Sequence, residues 1–150
     1  MIPKLSNPNN AEREWIANNL VATRELVAEL AGGTRDLEPS TLDVAYAAWF
    51  AQLDADAEDP NSMINAFGIA FGQLLVDQLQ LKWVVASDEQ GTEMAVHGQP
   101  GDILVYPPNL VAKRYTTRET EFFAPLFAEM QEQIATVRSQ TPSRPWWKFW

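Results

Sequence analysis

Residues 60–114 read PNSMINAFGIAFGQLLVDQLQLKWVVASDEQGTEMAVHGQPGDILVYPPNLVAKR, and the fold turns on where the apolar period of this stretch changes. Before Leu81, Met63, Ile64, Phe67, Ala70, Phe71, Leu74 and Leu75 recur at helical spacing. After it, Lys82–Ser87 is rich in β-branched residues, and Asp88-Glu89-Gln90-Gly91 supplies a turn in which glycine can take positive φ. From Thr92 to His97 the period is two, with Thr92, Met94 and Val96 on one face and Glu93, Ala95 and His97 on the other. A second turn, Gly98–Gly101, leads into Asp102–Tyr106, which Pro107-Pro108 must end because proline cannot extend a ladder. The stretch therefore predicts one amphipathic helix feeding a three-stranded antiparallel meander, and so small a sheet needs helices against at least one face.

Within that helix Gly68 and Gly72 lie four residues apart, each costing about 1 kcal/mol of helix stability against alanine. Two such residues on one stripe predict a close backbone approach by another element, or, as a sharper alternative, the floor of a ligand groove. A membrane reading of the spacing fails, because Gln73, Asp77, Gln78 and Gln80 interrupt the run too early.

Working outward, Trp15, Ile16, Leu20, Leu26, Val27 and Leu30 predict a first helix over residues 9–31, with Ser6 or Asn7 as cap and Pro8 in its first turn. A second, short helix carries Leu42, Tyr46, Trp49, Phe50 and Leu53 as core residues, with Ser40 as its cap and Asp43 near the positive end of its dipole. Beyond the sheet, Asn109 is expected to cap a short helical turn to Tyr115. Phe122, Phe123, Leu126, Phe127, Met130, Ile134 and Val137 then predict a long last helix to Ser139, with Pro125 in its first turn. The fold class is thus α+β: two N-terminal helices, a glycine-spaced helix, a three-stranded antiparallel meander and a long C-terminal helix. Residues 1–139 are expected to form a single domain and residues 140–150 an aromatic, basic tail.

The chain has 150 residues, 46% of them hydrophobic, and a formal charge of -9. That charge disfavours nucleic acid as a partner and would steer in a basic one. Without cysteine there is no thiolate metal site and no cysteine nucleophile. Residues Met1–Asn7 hold one cation and no apolar run, so neither a signal peptide nor a spanning helix is expected there, and the expected location is cytoplasmic. The acidic run Asp54–Pro60 invites calcium, but the sixth and twelfth positions of an EF-hand loop would fall on Asp59 and Asn65 instead of glycine and glutamate. No metal and no cofactor are expected.

His97 is the sole histidine, and no glycine-serine elbow accompanies it, so a catalytic triad is not expected. Asp88, Glu89 and Glu93 could in principle serve two-carboxylate hydrolysis, although acidic turn residues are common. Lys113-Arg114 is a candidate anion contact or a partner for local acids. In the tail, Trp146, Trp147, Lys148, Phe149 and Trp150 form an aromatic, cationic segment suited to a weak membrane-surface contact, to a partner's groove, or to the chain's own apolar surface.

The sequences FGIAFGQLL, LKWVVASDEQGTEMAV and DILVYPPNLVAKR carry a glycine-spaced helix, a Trp-Val-Val strand, an Asp-Glu-x-Gly turn and a Pro-x-x-x-Val-x-Lys-Arg closing segment. In these features the chain resembles the bacterial Domain of unknown function 3806 family. The resemblance implies an α+β domain without an assigned activity or catalytic residues.

These observations favour noncatalytic protein-protein interaction, with an acidic inhibitor or immunity-like partner of a basic toxin as the finer expectation. Trp83, Asp88, Glu89, His97, Lys113 and Arg114 are the candidate binding residues. The competing expectation is a small-molecule or hydrolytic pocket between the Gly68/Gly72 helix and the sheet, built from Trp83, Asp88, His97 and Arg114. Convergence of those side chains on a concave site would favour it, and their dispersal would remove it.

Overall fold

A computed structural model describes residues 2–54 and 59–140. Its elements in chain order are β1 (Lys4–Ser6), α1 (Asn10–Leu30), α2 (Pro39–Gln52), α3 (Asn61–Leu79), β2 (Lys82–Asp88), β3 (Gly91–Gly98), β4 (Ile103–Val105), α4 (Pro107–Thr116) and α5 (Phe123–Arg138). The expected α+β class is observed. The sheet has four antiparallel strands in the order β1-β2-β3-β4, one more than the meander predicted. The additional strand is β1, in which Leu5 pairs with Ala86 and Ser6 with Val85. Three residues of mixed polarity carry no period-two signal, so this strand is defined by its long-range pairing with β2 alone.

The helix starts also differ from expectation. Ser6 belongs to β1, and α1 is capped by Asn9, whose side chain accepts from Glu12 N at 2.8 Å while the Glu12 carboxylate accepts from Asn9 N at 2.8 Å. This reciprocal box satisfies two otherwise orphaned amides. Glu38, not Ser40, is the cap residue of α2, and Pro39 takes the first helical position, where its missing N–H costs nothing. Asn109 lies inside α4, which begins earlier than expected because both prolines fit the first turn.

Asp43 does not serve its own helix. Its two carboxylate oxygens accept from Phe123 N at 2.7 Å and Ala124 N at 3.0 Å, capping the start of α5 from across the fold. Burial pushes its carboxyl above the ordinary value of 3.8; those two hydrogen bonds oppose the shift and nearby Glu121 adds to it.

α3 sits at the centre. Ile64, Ala66, Phe67, Gly68, Ile69, Ala70, Phe71, Gly72, Leu74, Leu75 and Leu79 are all buried, so the helix is covered on nearly every side rather than on one stripe. It packs against α1, α2, α4, α5 and β3. A Cβ on Gly68 would lie 2.6 Å from Pro108 Cα, and one on Gly72 would lie 2.4 Å from the Trp83 ring and 2.9 Å from Pro107 Cγ. The paired glycines therefore let the start of α4 and the β2 tryptophan approach the helix backbone, as close packing requires. They do not floor an open groove.

The sheet divides the apolar residues into two groups. Val96, Ile103 and Val105 join Leu81 and the helices in the main core, where Tyr46 is fully buried. Its ring centroid lies 5.1 Å from Phe122, 5.2 Å from Phe67 and 5.3 Å from Trp49, all edge to face. The outer face carries a separate cluster of Val84, Ala86, Ala95 and Leu104, with Leu5 and Tyr106 packed against it. Among the described residues no helix is long and apolar enough to cross a membrane.

Candidate functional site

The β2–β3 hairpin pairs Ala86 with Glu93 and Asp88 with Gly91. Side chains two residues apart on a strand share a face, so Ala86, Asp88 and Glu93 all stand on the outer face at the turn end of the sheet. On the other side of β3, β4 runs into Tyr106, the residue before the prolines that force the chain into α4. Tyr106 closes a depression of about 320 Å³ with Ala86, Asp88, Gln90, Gly91, Thr92 and Glu93. A second depression of about 200 Å³ is lined by Trp15, Asn65, Glu93, Met94, Tyr106, Pro108 and Asn109. Glu93 and Tyr106 form a wall common to both, which makes one acidic trough with a tryptophan at its far side.

The electrostatics of the trough are one-sided. Burial pushes the Tyr106 phenol above its ordinary value of 10.0, and the charges of Glu93 and then Asp88 push it further the same way. The Asp88 carboxylate accepts from Gln90 N at 2.8 Å, and Glu93 accepts from the Asn109 side-chain amide at 3.2 Å. The ion pairs among the described residues lie elsewhere, between Arg35 and Glu25 at 3.2 Å and between His97 and Asp102 at 2.7 Å. The trough therefore presents two carboxylates without a cationic partner among the described residues, a phenol held neutral and donor-competent, and the face of a part-exposed indole. Such a set suits guanidinium or ammonium groups, which gain charge-assisted hydrogen bonds and contact with an aromatic face.

The residues singled out from sequence do not gather there. Asp88 is in the trough and Glu89 lies beside it in the exposed turn. His97 pairs with Lys82, six residues along β2 from Asp88, which places it about 20 Å away at the other end of the sheet. There its Nε2 meets Asp102 Oδ1. Trp83 points into the core side, donating from Nε1 to Gln73 Oε1 at 2.9 Å while its ring fills the notch at Gly72. Lys113 and Arg114 occupy the last turn of α4, where a positive charge suits the carbonyl end of the helix. Arg114 donates to Leu110 O at 3.4 Å, and its guanidinium carbon is 6.0 Å from the centroid of Phe122. Trp83, Asp88, His97 and Arg114 are thus not one constellation. The acidic run beyond Asp54 and the tail contact Trp146, Trp147, Lys148, Phe149 and Trp150 lie, for residues 55–58 and 141–150, outside the described residues.

Tyr106, Trp15, Asn65 and Asn109 were not evident from sequence, and Glu93 was only one of three turn-proximal acids. The hairpin register alone could have placed Asp88 and Glu93 on one face. Trp15, 39% exposed, sits at a helical spacing that reads as core. Its place in the trough follows from how α1 crosses α3, which no local signal encodes.

A family model described as Domain of unknown function (DUF3806) matches residues 46–123, more than half of the chain and a wider span than the motifs quoted above. No curated protein and no solved structure gives a significant match.

Proposed function

The chain belongs to the Domain of unknown function 3806 family, whose description carries no activity, and we propose that it acts as a noncatalytic protein-binding domain that receives a basic segment of its partner in the trough around Glu93 and Tyr106. The observation that carries this reading is the contiguity of the two depressions, with Glu93 lining both, Asp88 lining the one of about 320 Å³, and neither carboxylate in an ion pair among the described residues. The formal charge of -9 acts in the same direction at longer range, raising the encounter rate with a cationic surface. Within this class, inhibition of a basic toxin in an immunity-like manner is the finer proposal, since an acidic patch can occupy a cleft built for a polyanion. A bacterial, cytoplasmic setting suits that role. Residues 1–139 act in this reading as one unit, with 140–150 as an accessory contact segment.

Isothermal titration of the full chain with an arginine–serine repeat peptide, at low and at moderate salt, tests the reading. Binding that weakens with salt and drops at least tenfold in the D88N/E93Q variant is expected. Replacing two exposed acids of α5 in an E129Q/E132Q variant changes the net charge equally and should leave affinity nearly unchanged. Equal loss in both variants would show diffuse attraction of a polycation and would remove the site.

A further inference from the structure

We infer that the smaller half of the trough is a subsite for a methylated ammonium group, with Trp15 and Tyr106 taking the methyls and Glu93 the charge; this deepens the function proposed above and rests on it. The two halves differ in chemistry. The depression of about 320 Å³ offers Asp88, Gln90, Gly91 and Thr92, polar groups that suit a cation which keeps its water. The depression of about 200 Å³ offers the apolar walls of Trp15, Met94, Tyr106 and Pro108, and Glu93 is the carboxylate among its described lining residues. Its volume lies below the roughly 300–1,000 Å³ of a pocket for a drug-sized ligand, so it has room for a head group rather than for a large molecule.

The balance of groups in this half favours methyls over N–H donors. An unmodified lysine ammonium is strongly hydrated and brings three donors, each of which needs an acceptor once its water is lost. Glu93 Oε1 already accepts from Asn109 Nδ2 at 3.2 Å, and Oε2 is without a partner among the described residues, so the carboxylate has a clear place for one new donor. The remaining donors would meet two rings, a thioether and a proline, which is costly. Methylation keeps the charge and turns those donors into apolar contacts, and the rings still attract the cation. A dimethylammonium retains one N–H for Glu93 and is therefore the best fit. The walls are set before a ligand arrives. Pro108 lies so close to α3 that a Cβ on Gly68 would be 2.6 Å from its Cα, and Thr23 Oγ1 donates to Ala66 O at 2.8 Å, pinning α1 to α3 beside Asn65. Trp15 is 39% exposed, so its ring is available to a ligand.

The test titrates the full chain with a serine-flanked lysine peptide, unmodified and dimethylated, and separately with tetramethylammonium chloride and ammonium chloride. Dimethyl-lysine is expected to bind several-fold tighter than lysine and to shift the Trp15 indole N–H signal of the unmutated chain. W15A should erase the preference, W15F should keep part of it, and E93Q should weaken both peptides. Tetramethylammonium should shift the same indole signal where ammonium does not. If it binds as tightly as the dimethylated peptide, the subsite stands and its ligand is a free methylated amine; if the peptide binds far more tightly, the subsite stands and its ligand is a modified side chain. Equal affinity for both peptides, a preference unchanged in W15A, or an unmoved Trp15 signal would overturn the proposal. The arginine–serine peptide separates this idea from the preceding one. Binding of that peptide in a manner sensitive to D88N/E93Q, with no effect of lysine methylation, sinks the subsite and spares the basic-partner reading. A methyl preference with no binding of the arginine–serine peptide supports the subsite and sinks the basic-partner reading.

Discussion

On the inner side of the sheet, Tyr46 is ringed by Trp49, Phe50, Phe67, Phe122 and Phe123, and the two notches of α3 are filled by prolines and an indole. On the outer side, Val84, Ala86, Ala95 and Leu104 form a small cluster under Leu5 and Tyr106, and toward the hairpin turn stand Asp88 and Glu93, the latter meeting Asn109 of α4. Both faces are built from the same three hairpin-linked strands, and period two sends alternate residues to each. The inner face is specified by volume, so its residues answer to packing density. The outer face combines a much smaller buried cluster with carboxylates at its turn end, and in the reading proposed above those carboxylates serve binding rather than folding.

If that contrast is right, substitutions should grade in cost from the inner face outward. Phe123, fully buried against Tyr46, Phe67 and Phe71, should lose the most: F123A is expected to destabilise the fold by about 3–5 kcal/mol in chemical denaturation. G68A comes next. Alanine gains about 1 kcal/mol of helix propensity at an open site, but here its Cβ would meet Pro108 backbone at 2.6 Å, so a net loss of roughly 1–3 kcal/mol is expected. A gain would show that α4 does not rest on α3.

At the junction of α2 and α5, D43A removes both acceptors from the first-turn amides of α5 and should cost about 1 kcal/mol, with D43N costing less because the amide retains one acceptor. The pH dependence of Asp43 follows from its raised carboxyl. The folded state holds the proton more tightly than the unfolded state, so the contribution of this group to stability is greatest in acid and declines as pH rises through its folded value.

Tyr46 gives a smaller effect at neutral pH and a distinct one in alkali. Its hydroxyl is buried without a hydrogen-bond partner among the described residues, and burial, with a lesser contribution from Tyr115, pushes it from 10.0 up to about 12. Folding therefore favours the neutral phenol. The stability that this protects is complete below pH 10 and is lost as pH climbs through about 12. Y46F should leave neutral-pH stability unchanged or raise it by about 1 kcal/mol, and should move the alkaline unfolding midpoint upward.

Much of the inner face was legible from sequence because its signals are local. The change of period near Leu81, the glycine pair and the alternation from Thr92 to His97 each state a backbone geometry within a few residues. The features that were not legible depend on partners distant in the chain. β1 exists because β2 has a free edge; Asp43 caps a helix eighty residues further on, where its own helix suggested a local dipole role. Trp15 reaches the trough because of a helix crossing. The trough itself was half visible: its carboxylates stood out as turn acids, and only the hairpin register and the path of Tyr106 made them neighbours.

The account is tested most directly by amide chemical-shift mapping of the arginine–serine peptide titrated into the full chain. Shifts concentrated at Asp88, Thr92, Glu93 and Tyr106, lost in the D88N/E93Q variant whose stability stays within about 0.5 kcal/mol of the parent, are the predicted result. Shifts spread evenly over exposed acids, or centred on α5, would contradict the claim that the outer face of the sheet is the binding surface.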